Sequence, residues 1–141
     1  TVFTAGSGAP TTGYTSPLSY ANYSLVWSDE FNGSTLSSDW TYDIGTGSGG
    51  WGNNELQYYT NQNVKVDSGL LEITAKVQAL GGSQYTSSRI KTQGLKSWKY
   101  GRIDIRAALP TVKECGLPCG CWGIILPLLV GHLVVRLILW N

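Results

Sequence analysis

Leu71-Glu-Ile-Thr-Ala-Lys-Val77 is the stretch that decides the fold class, because apolar and polar residues alternate along it without a break. Its apolar residues would share one face of a strand, and its polar residues would share the other. A period of two is typical of a half-buried antiparallel strand, whereas a helix would need a period near 3.6. The stretch therefore predicts a strand whose apolar face, Val77 included, lies on a core.

The same signal extends to both sides of this strand. The predicted elements around it are a strand at Val64 and Val66, a turn at residues 67–69, a turn at Gly81-Gly82, a strand over residues 85–92 and a strand over residues 100–109 closed by Pro110. In the last strand Ile103, Ile105 and Ala107 would lie on one side. No helical period competes before Thr111. The sequence therefore predicts an all-β protein.

Length and charge limit the classes of partner. The chain has 141 residues, which suits one domain, and it carries ten Lys and Arg residues against nine Asp and Glu residues. It contains no basic run of the kind that binds phosphate backbones. We therefore expect no nucleic-acid partner and soluble, neutral partners. We also expect no membrane partner and, if the chain folds, a monomer.

A glycine-rich stretch, Gly49-Gly-Trp-Gly-Asn-Asn-Glu-Leu-Gln-Tyr-Tyr-Thr60, collects groups that suit a sugar. Glycine lets the backbone approach a ligand closely, and Trp51 offers an apolar ring face. Asn53, Asn54 and Gln57 offer amide donors and acceptors for hydroxyl groups. A hairpin loop whose Trp covers the edge of a core explains the same residues equally well, so both interpretations stay open on chemistry alone.

Several ordered blocks of the sequence resemble one enzyme family. The blocks are residues 25–33 (LVWSDEFNG), 50–60 (GWGNNELQYYT), 69–75 (GLLEITA), 85–92 (YTSSRIKT) and 100–110 (YGRIDIRAALP). In order and spacing they resemble the glycoside hydrolases of family 16, most closely the laminarinase-like endo-β-1,3-glucanases. The resemblance implies a concanavalin-like β-sandwich, or jelly roll, with a sugar cleft across its concave sheet. It also implies retaining hydrolysis of a β-glucan by a secreted enzyme.

The resemblance assigns substrate binding to Trp51, Asn54 and Arg89. Strand alternation that buries Ile90 should aim the Arg89 guanidinium at the opposite face, which would be the cleft. In the family this arginine position is commonly near bound sugar, and its fixed set of donors suits hydroxyls or a carboxylate. A cross-strand salt bridge is the alternative role for Arg89.

A structural calcium ion is the one cofactor that the resemblance suggests. In the family an acidic corner such as Ser28-Asp-Glu-Phe-Asn-Gly33 can contribute to a calcium site away from the cleft, and Glu30 is the matching candidate. Carboxylate oxygen is the ligand type that calcium prefers. An exposed carboxylate beside a turn is the alternative, and no other cofactor is expected.

The chain divides into three parts. Residues 1–20 are rich in Ser, Thr, Gly and Pro, which suits a linker or frayed start, and no charged and apolar leader is expected there. Residues 21–111 carry the resemblance. They supply about half of the strands of a complete sandwich, so we expect an incomplete domain. Residues 112–141 have a different character.

This third part is apolar and contains all three cysteines, Cys115, Cys119 and Cys121. Their spacing differs from that of zinc sites, and His132 lies far from them. The run from Trp122 to Trp140 is just long enough to span a membrane, but Arg136 would cost about 2.5–3.5 kcal/mol near a helix centre. A metal site and an apolar anchor are therefore weakly supported interpretations of this part, and both stay open.

A shifted reading frame explains the third part better. Recoded one nucleotide upstream with free wobble bases, residues 112–141 can read as a sequence that contains W-P-A-L-W-M-L and ends in G-E-I-D-I-M-E. That ending holds the family's E-x-D-x-x-E motif, whose two glutamates act as nucleophile and acid–base. In the sequence as given, Arg136, Ile138 and Asn141 stand in their places. The chain is therefore expected to be inactive, and a sugar-binding module without catalysis is an alternative function.

Overall fold

The computed structural model describes side chains for residue 17 and for residues 19–67 and 69–107, and it describes only the backbone of four later strands. The strands are β1 Leu25–Asp29, β2 Thr41–Asp43, β3 Gln57–Tyr59, β4 Val64–Asp67, β5 Leu70–Thr74, β6 Lys76–Leu80, β7 Ser83–Ser87, β8 Arg89–Lys91, β9 Arg102–Ile105, β10 Gly120–Cys121, β11 Ile124–Ile125, β12 Val130–Leu133 and β13 Leu137–Trp140. Two short 3-10 turns, Gly50–Gly52 and Asn61–Asn63, flank β3. The described residues contain no α-helix, and the all-β prediction is confirmed.

The strands form small sheets that are mostly antiparallel. Their orders are β1-β13-β9, β12-β5-β4, β3-β7-β6, β2-β8 and β10-β11. Only β3 and β7 pair in parallel among the described strands. An isolated antiparallel bridge between Gly45 and Tyr59 joins the segment after β2 to β3. This bridge brings the glycine-rich loop, which connects the two segments, against the sheet.

The core lies between the β4-β5 hairpin, β8 and the loops around Trp40. Its buried members are Phe31, Trp40, Val66, Leu71, Ile73 and Ile90, with Trp27, Leu36, Tyr42 and Val64 packed against them. Leu71, Ile73 and Ile90 are fully buried. Burial of these large apolar side chains supplies the main stabilising term for the sandwich.

The strand predicted over residues 71–77 forms only in its first part. Leu71 and Ile73 are fully buried, and the polar residues that alternate with them, Glu72 and Thr74, are half-buried, as the alternation predicts. The prediction is wrong at Val77, which is 53% exposed. The reason is a break at Ala75, where the chain leaves the sheet of β4 and β5 and joins β7 in another sheet.

The strand predicted over residues 85–92 also divides, at Ser88. The buried Ser88 hydroxyl donates a hydrogen bond to the Thr60 carbonyl and interrupts the ladder. The downstream half, β8, turns towards β2 instead of β3. Ile90 is buried as predicted, but Arg89 is buried as well, so both faces of β8 are covered.

The strand predicted over residues 100–109 is described at Arg102–Ile105. Arg102 Nε donates to Asp104 Oδ1 at 2.8 Å, which places these two side chains on one face, as alternation requires. The predicted apolar side, at Ile103 and Ile105, remains more than one-third exposed. The described part of β9 therefore contributes little to the core.

The predictions for both ends of the chain fall largely outside the described residues. Residues 1–16 and all side chains from 108 onwards are among those not described, which includes the cysteines and the positions of the expected catalytic motif. The described backbone within the apolar run forms β11, β12 and β13. Among the described residues, no helix has the length and apolar character needed to cross a membrane.

Candidate functional site

The glycine-rich loop adopts a backbone that few residue types allow. Gly49, Gly50 and Gly52 have φ of 59°, 57° and 83°, and two larger residues, Trp51 and Asn54, also have positive φ, of 55° and 56°. Asparagine tolerates this left-handed region, whereas for tryptophan it is a strained conformation. A Cβ atom on Gly50 would lie 2.5 Å from the Glu55 backbone nitrogen. The loop therefore folds back tightly on itself and brings Glu55 beneath Gly50.

The indole of Trp51 is held by three contacts. Its Nε1 donates to the Gly45 carbonyl oxygen at 3.4 Å, and the Arg89 guanidinium carbon lies 4.6 Å from the ring centroid. The Gly47 backbone lies against the ring, since a Cβ there would come within 2.4 Å of Trp51 Cδ2. Trp51 remains half-buried, so the ring is fixed in place while part of it faces solvent.

Arg89 and Asp43 form a cross-strand ion pair. They are directly opposed in the register of β8 and β2, with Arg89 Nε 3.1 Å from Asp43 Oδ2. The contact is an ion pair without an aligned hydrogen bond from Nε. Lys91, on the same strand as Arg89, also pairs with Asp43. The salt-bridge alternative for Arg89 is thus observed, and two cations lie against the buried Asp43 carboxylate.

Glu55 collects donors from both the loop and β3. Its Oε2 accepts hydrogen bonds from the Tyr59 hydroxyl at 2.8 Å and from Gln57 Nε2 at 3.1 Å, while Oε1 accepts from Asn53 Nδ2 at 3.2 Å. Arg89 Nη1 lies 3.7 Å from Oε2. Gln57 is buried, and its amide nitrogen donates to Glu55 and to the Tyr59 hydroxyl. Glu55 links the loop to the sheet.

Tyr59 lies in a part of this cluster that is shielded from water. Burial, together with the hydrogen bond to the Glu55 carboxylate and the charge of that group, raises the pKa of Tyr59 far above its usual value. The side chain is fully buried, and its ring centroid lies 5.9 Å from the Arg89 guanidinium carbon. The hydroxyl therefore stays protonated and serves as a donor to Glu55 through the neutral pH range.

Of the three predicted binding residues, the structure brings Trp51 and Arg89 into direct contact. Asn54 lies exposed on the same loop, beside Glu55. Their contact with a saccharide stays a prediction. Sequence reasoning missed Asp43 and the contact of Glu55 with Arg89, although both carboxylates lie beside the guanidinium. The register between β2 and β8 could not be foreseen. The Glu55 carboxylate, however, stands close in sequence to the amides of Asn53 and Asn54, and this indicated a polar cluster.

Asp29, and not Glu30, organises the acidic corner. Its carboxylate accepts hydrogen bonds from the Phe31 backbone and from the Ser37 and Trp40 side chains. The Glu30 carbonyl oxygen lies 3.7 Å from the place of a Cβ on Gly69. Within the described residues, no group of three His, Cys, Asp or Glu side chains could hold a metal. Calcium also takes backbone carbonyl and water oxygens, which that group of side chains does not include, so the calcium role of Glu30 stays a prediction.

Comparisons with known proteins agree with the resemblance seen in the sequence. The chain is 53% identical over 91 residues to the clotting factor G alpha subunit of Tachypleus tridentatus. It is 47% identical over 93 residues to a beta-glucanase of Rhodothermus marinus. A variant of a non-specific endo-β-1,3(4)-glucanase from family GH16, crystallised with a glucan oligosaccharide, shares 39% identity with a TM-score of 0.57. These matches confirm the family resemblance and the jelly-roll class.

The matches cover part of each protein. Each of the three alignments, with the two curated relatives and with the solved structure, covers 64% of this chain. The chain spans 13% and 32% of the length of the two curated relatives and 39% of the solved chain. No family model matches the chain.

Proposed function

Since the described part of this chain is related to the family 16 laminarinases, we propose that it forms a saccharide-binding wall of an endo-β-1,3-glucanase. The proposed substrate is a neutral β-1,3-glucan, and the proposed setting is extracellular, where such polymers occur. The proposed reaction of the complete enzyme is retaining hydrolysis of internal glycosidic bonds. The chain is proposed to act as a monomer without a required cofactor.

One observation carries this proposal: the glycine-rich loop presents Trp51 beside an exposed amide. Trp51 is half-buried and fixed by Arg89 and Gly45, while Asn54 is exposed on the same loop. A fixed indole suits the apolar face of a pyranose ring, and an amide suits its hydroxyl groups. We assign saccharide binding to Trp51, Asn54 and Arg89.

The chain as given is proposed to be inactive. Retaining hydrolysis needs two carboxyl groups about 5–5.5 Å apart, one to attack and one to donate a proton. Around the glycine-rich loop, Asp43 pairs with Arg89 and Lys91, and Glu55 accepts from Tyr59, Gln57 and Asn53. Both carboxylates are occupied in holding the loop. The expected acids belong to the shifted frame of residues 112–141, where the given sequence has none of them.

The test measures binding and turnover separately. Calorimetric titration of the full chain with laminarihexaose should give measurable binding, and Trp51→Ala should abolish it. The same protein incubated with laminarin should release no reducing sugar. Asp67→Asn, a change at the exposed end of β4, serves as the control and should bind like the wild type. Absence of binding by a folded wild-type chain would refute the proposal.

The second candidate is a sugar-binding module without catalysis. It is favoured by the same observation that argues against activity, namely that the Asp43 and Glu55 carboxylates beside the loop both have structural partners. The nucleotide sequence from the Pro110 codon onwards separates the two candidates. A frame that restores E-x-D-x-x-E supports the enzyme, and the given frame supports the module.

A further inference from the structure

We infer that Asn32 is a modification site, at which the side-chain amide is lost spontaneously in the folded protein through attack by the backbone nitrogen of Gly33. Asn32-Gly33 is the only Asn-Gly pair in the sequence. Glycine has no Cβ atom to crowd its own nitrogen, and asparagine is among the thermolabile residue types. The inference goes beyond the proposed function, because this chemistry belongs to the chain itself and does not depend on saccharide binding.

The pair lies in an exposed loop between β1 and β2. Asn32, Gly33 and the two residues that follow are all exposed, and they lie outside the strands and the 3-10 turns. Within the described part of the chain, the Gly33 nitrogen donates to no protein acceptor. An exposed segment outside the sheets can change its backbone angles at low cost. The nitrogen can therefore approach the Asn32 side chain without breaking such a hydrogen bond.

The reaction balances with water and hydroxide alone. Hydroxide removes the proton of the Gly33 nitrogen, which attacks Asn32 Cγ and closes a five-membered succinimide ring. The bond between Cγ and Nδ2 breaks, and the Nδ2 group leaves as ammonia after it gains a proton from water. Water then opens the ring at either carbonyl and leaves aspartate or isoaspartate at position 32. No group is oxidised or reduced, and higher pH should speed the reaction because it begins with the loss of a proton.

The product affects the core because position 32 directly follows a buried residue. Phe31 is 3% exposed, its ring centroid lies 6.0 Å from that of Trp40, and its backbone has a positive φ of 51°. A bulky residue keeps such an angle only when its surroundings impose it. Isoaspartate carries the main chain through its own Cβ atom, so it lengthens the loop beside Phe31. Its formation should therefore loosen the packing of Phe31 and lower the stability of the protein.

The experiment ages the full chain in mildly alkaline buffer and follows each asparagine by peptide mass spectrometry. Pepsin digestion at low pH prevents further loss of amide during the measurement, and enzymatic methylation counts isoaspartate. Asn32 should lose its amide at least about tenfold faster than the other described asparagines. These internal controls are Asn22, Asn53, Asn54, Asn61 and Asn63.

Gly33→Ala is the matched variant, because the structure leaves room for it. Gly33 does not have a positive φ, and a Cβ there would lie 3.5 Å from the Thr35 carbonyl oxygen, which is an ordinary contact. The added methyl group crowds the attacking nitrogen, so loss of the Asn32 amide should slow about tenfold. The urea midpoint of the fresh variant should stay close to that of the wild type, whereas the midpoint of aged wild-type protein should fall.

Asn32→Asp separates the effect of the new charge from that of the longer chain. It adds the carboxylate but keeps the normal backbone, and its exposed position means that the urea midpoint should change little. A fall in the midpoint of aged protein that Asn32→Asp reproduces would therefore refute the link to Phe31. An unchanged midpoint in aged protein rich in isoaspartate would refute it as well.

The rate is also measured in urea, because one contact opposes the reaction. Asn32 Oδ1 lies 3.4 Å from the place of a Cβ on Gly69, so this side chain rests against the turn between β4 and β5. A folded chain that loses the Asn32 amide far more slowly than the same chain in urea would overturn the inference. Equal rates at Asn32 and Asn54, or an undiminished rate in Gly33→Ala, would also overturn it. Should Gly33→Ala not fold, the comparison with Asn54 in the wild-type chain decides alone.

Discussion

Two arginines in this molecule each join a carboxylate and an aromatic ring, and their surroundings differ. Arg89 is buried with Asp43, Glu55 and Trp51. Arg102 lies near the surface, where it donates to Asp104 at 2.8 Å and to the Tyr20 hydroxyl at 3.0 Å. We call these the buried cluster and the surface cluster.

The comparison shows that geometry alone does not decide what such a cluster contributes. The surface cluster has the shorter arginine–carboxylate distance, yet water and salt screen its charges. In the buried cluster, loss of one partner would leave a charge unpaired in a dry site. The buried cluster therefore holds the loop rigidly, whereas the surface cluster fastens the segment before β1 to β9.

The largest expected effect comes from removing each guanidinium. Arg89→Met keeps much of the side-chain volume but removes the guanidinium from beside Asp43 and Glu55. We therefore expect a loss of about 3–5 kcal/mol in the free energy of unfolding. Arg102→Met is the matched change in the surface cluster and should leave the urea midpoint close to that of the wild type. Equal losses in the two variants would remove the distinction between the clusters.

A smaller effect is expected from the glycines that seat the buried cluster. Gly50→Ala should cost about 2–4 kcal/mol, because its φ is 57° and its Cβ would overlap the Glu55 backbone. Gly49→Ala has nearly the same φ, of 59°, but its Cβ would meet no atom within 4 Å. Gly49→Ala is therefore the control, and it should lower the free energy of unfolding in urea by only about 1–2 kcal/mol. A similar cost at both positions would mean that Gly50 does not press on Glu55.

The smallest expected effect concerns the Tyr59 hydroxyl. Tyr59→Phe removes one donor to Glu55 and should cost about 1–2 kcal/mol near pH 7. The pKa of Tyr59 is higher in the folded chain than in the unfolded one, so its contribution is complete below about pH 10 and is lost as the pH rises further. Unfolding midpoints of the wild type and the variant should thus converge above pH 10. Parallel curves would show that Tyr59 does not titrate as the structure implies.

Much of the fold could be predicted from local pattern. The alternation around Leu71 and Ile73 located β5, and the Gly81-Gly82 pair located the turn between β6 and β7, where both glycines have positive φ. The break at Ala75 could not be foreseen, since it depends on which sheet each half of the strand joins. Alternation of apolar and polar residues predicts which face of a strand is buried, but it does not predict which strands pair with it.

The site was harder to predict than the fold. Trp51, Asn54 and Arg89 were singled out from sequence, and two of them touch. The burial of Arg89 was missed because strand alternation assigns opposite faces to neighbours, yet β8 is covered on both. Its partners depend on pairing between β2 and β8, which are remote in sequence, and no local pattern encodes such a register.

The parallel pairing of β3 with β7 has a consequence for synthesis. The glycine-rich loop leaves the ribosome well before β7 and β8, because β4, β5 and β6 lie between them in the chain. Lys91 and Asp43, which meet in the buried cluster, are 48 positions apart. During that interval the loop has neither its strand partner nor its arginine. A nascent chain halted before Arg89 should therefore be cleaved by proteases near Trp51. Once the next few residues have been released, that cleavage should stop.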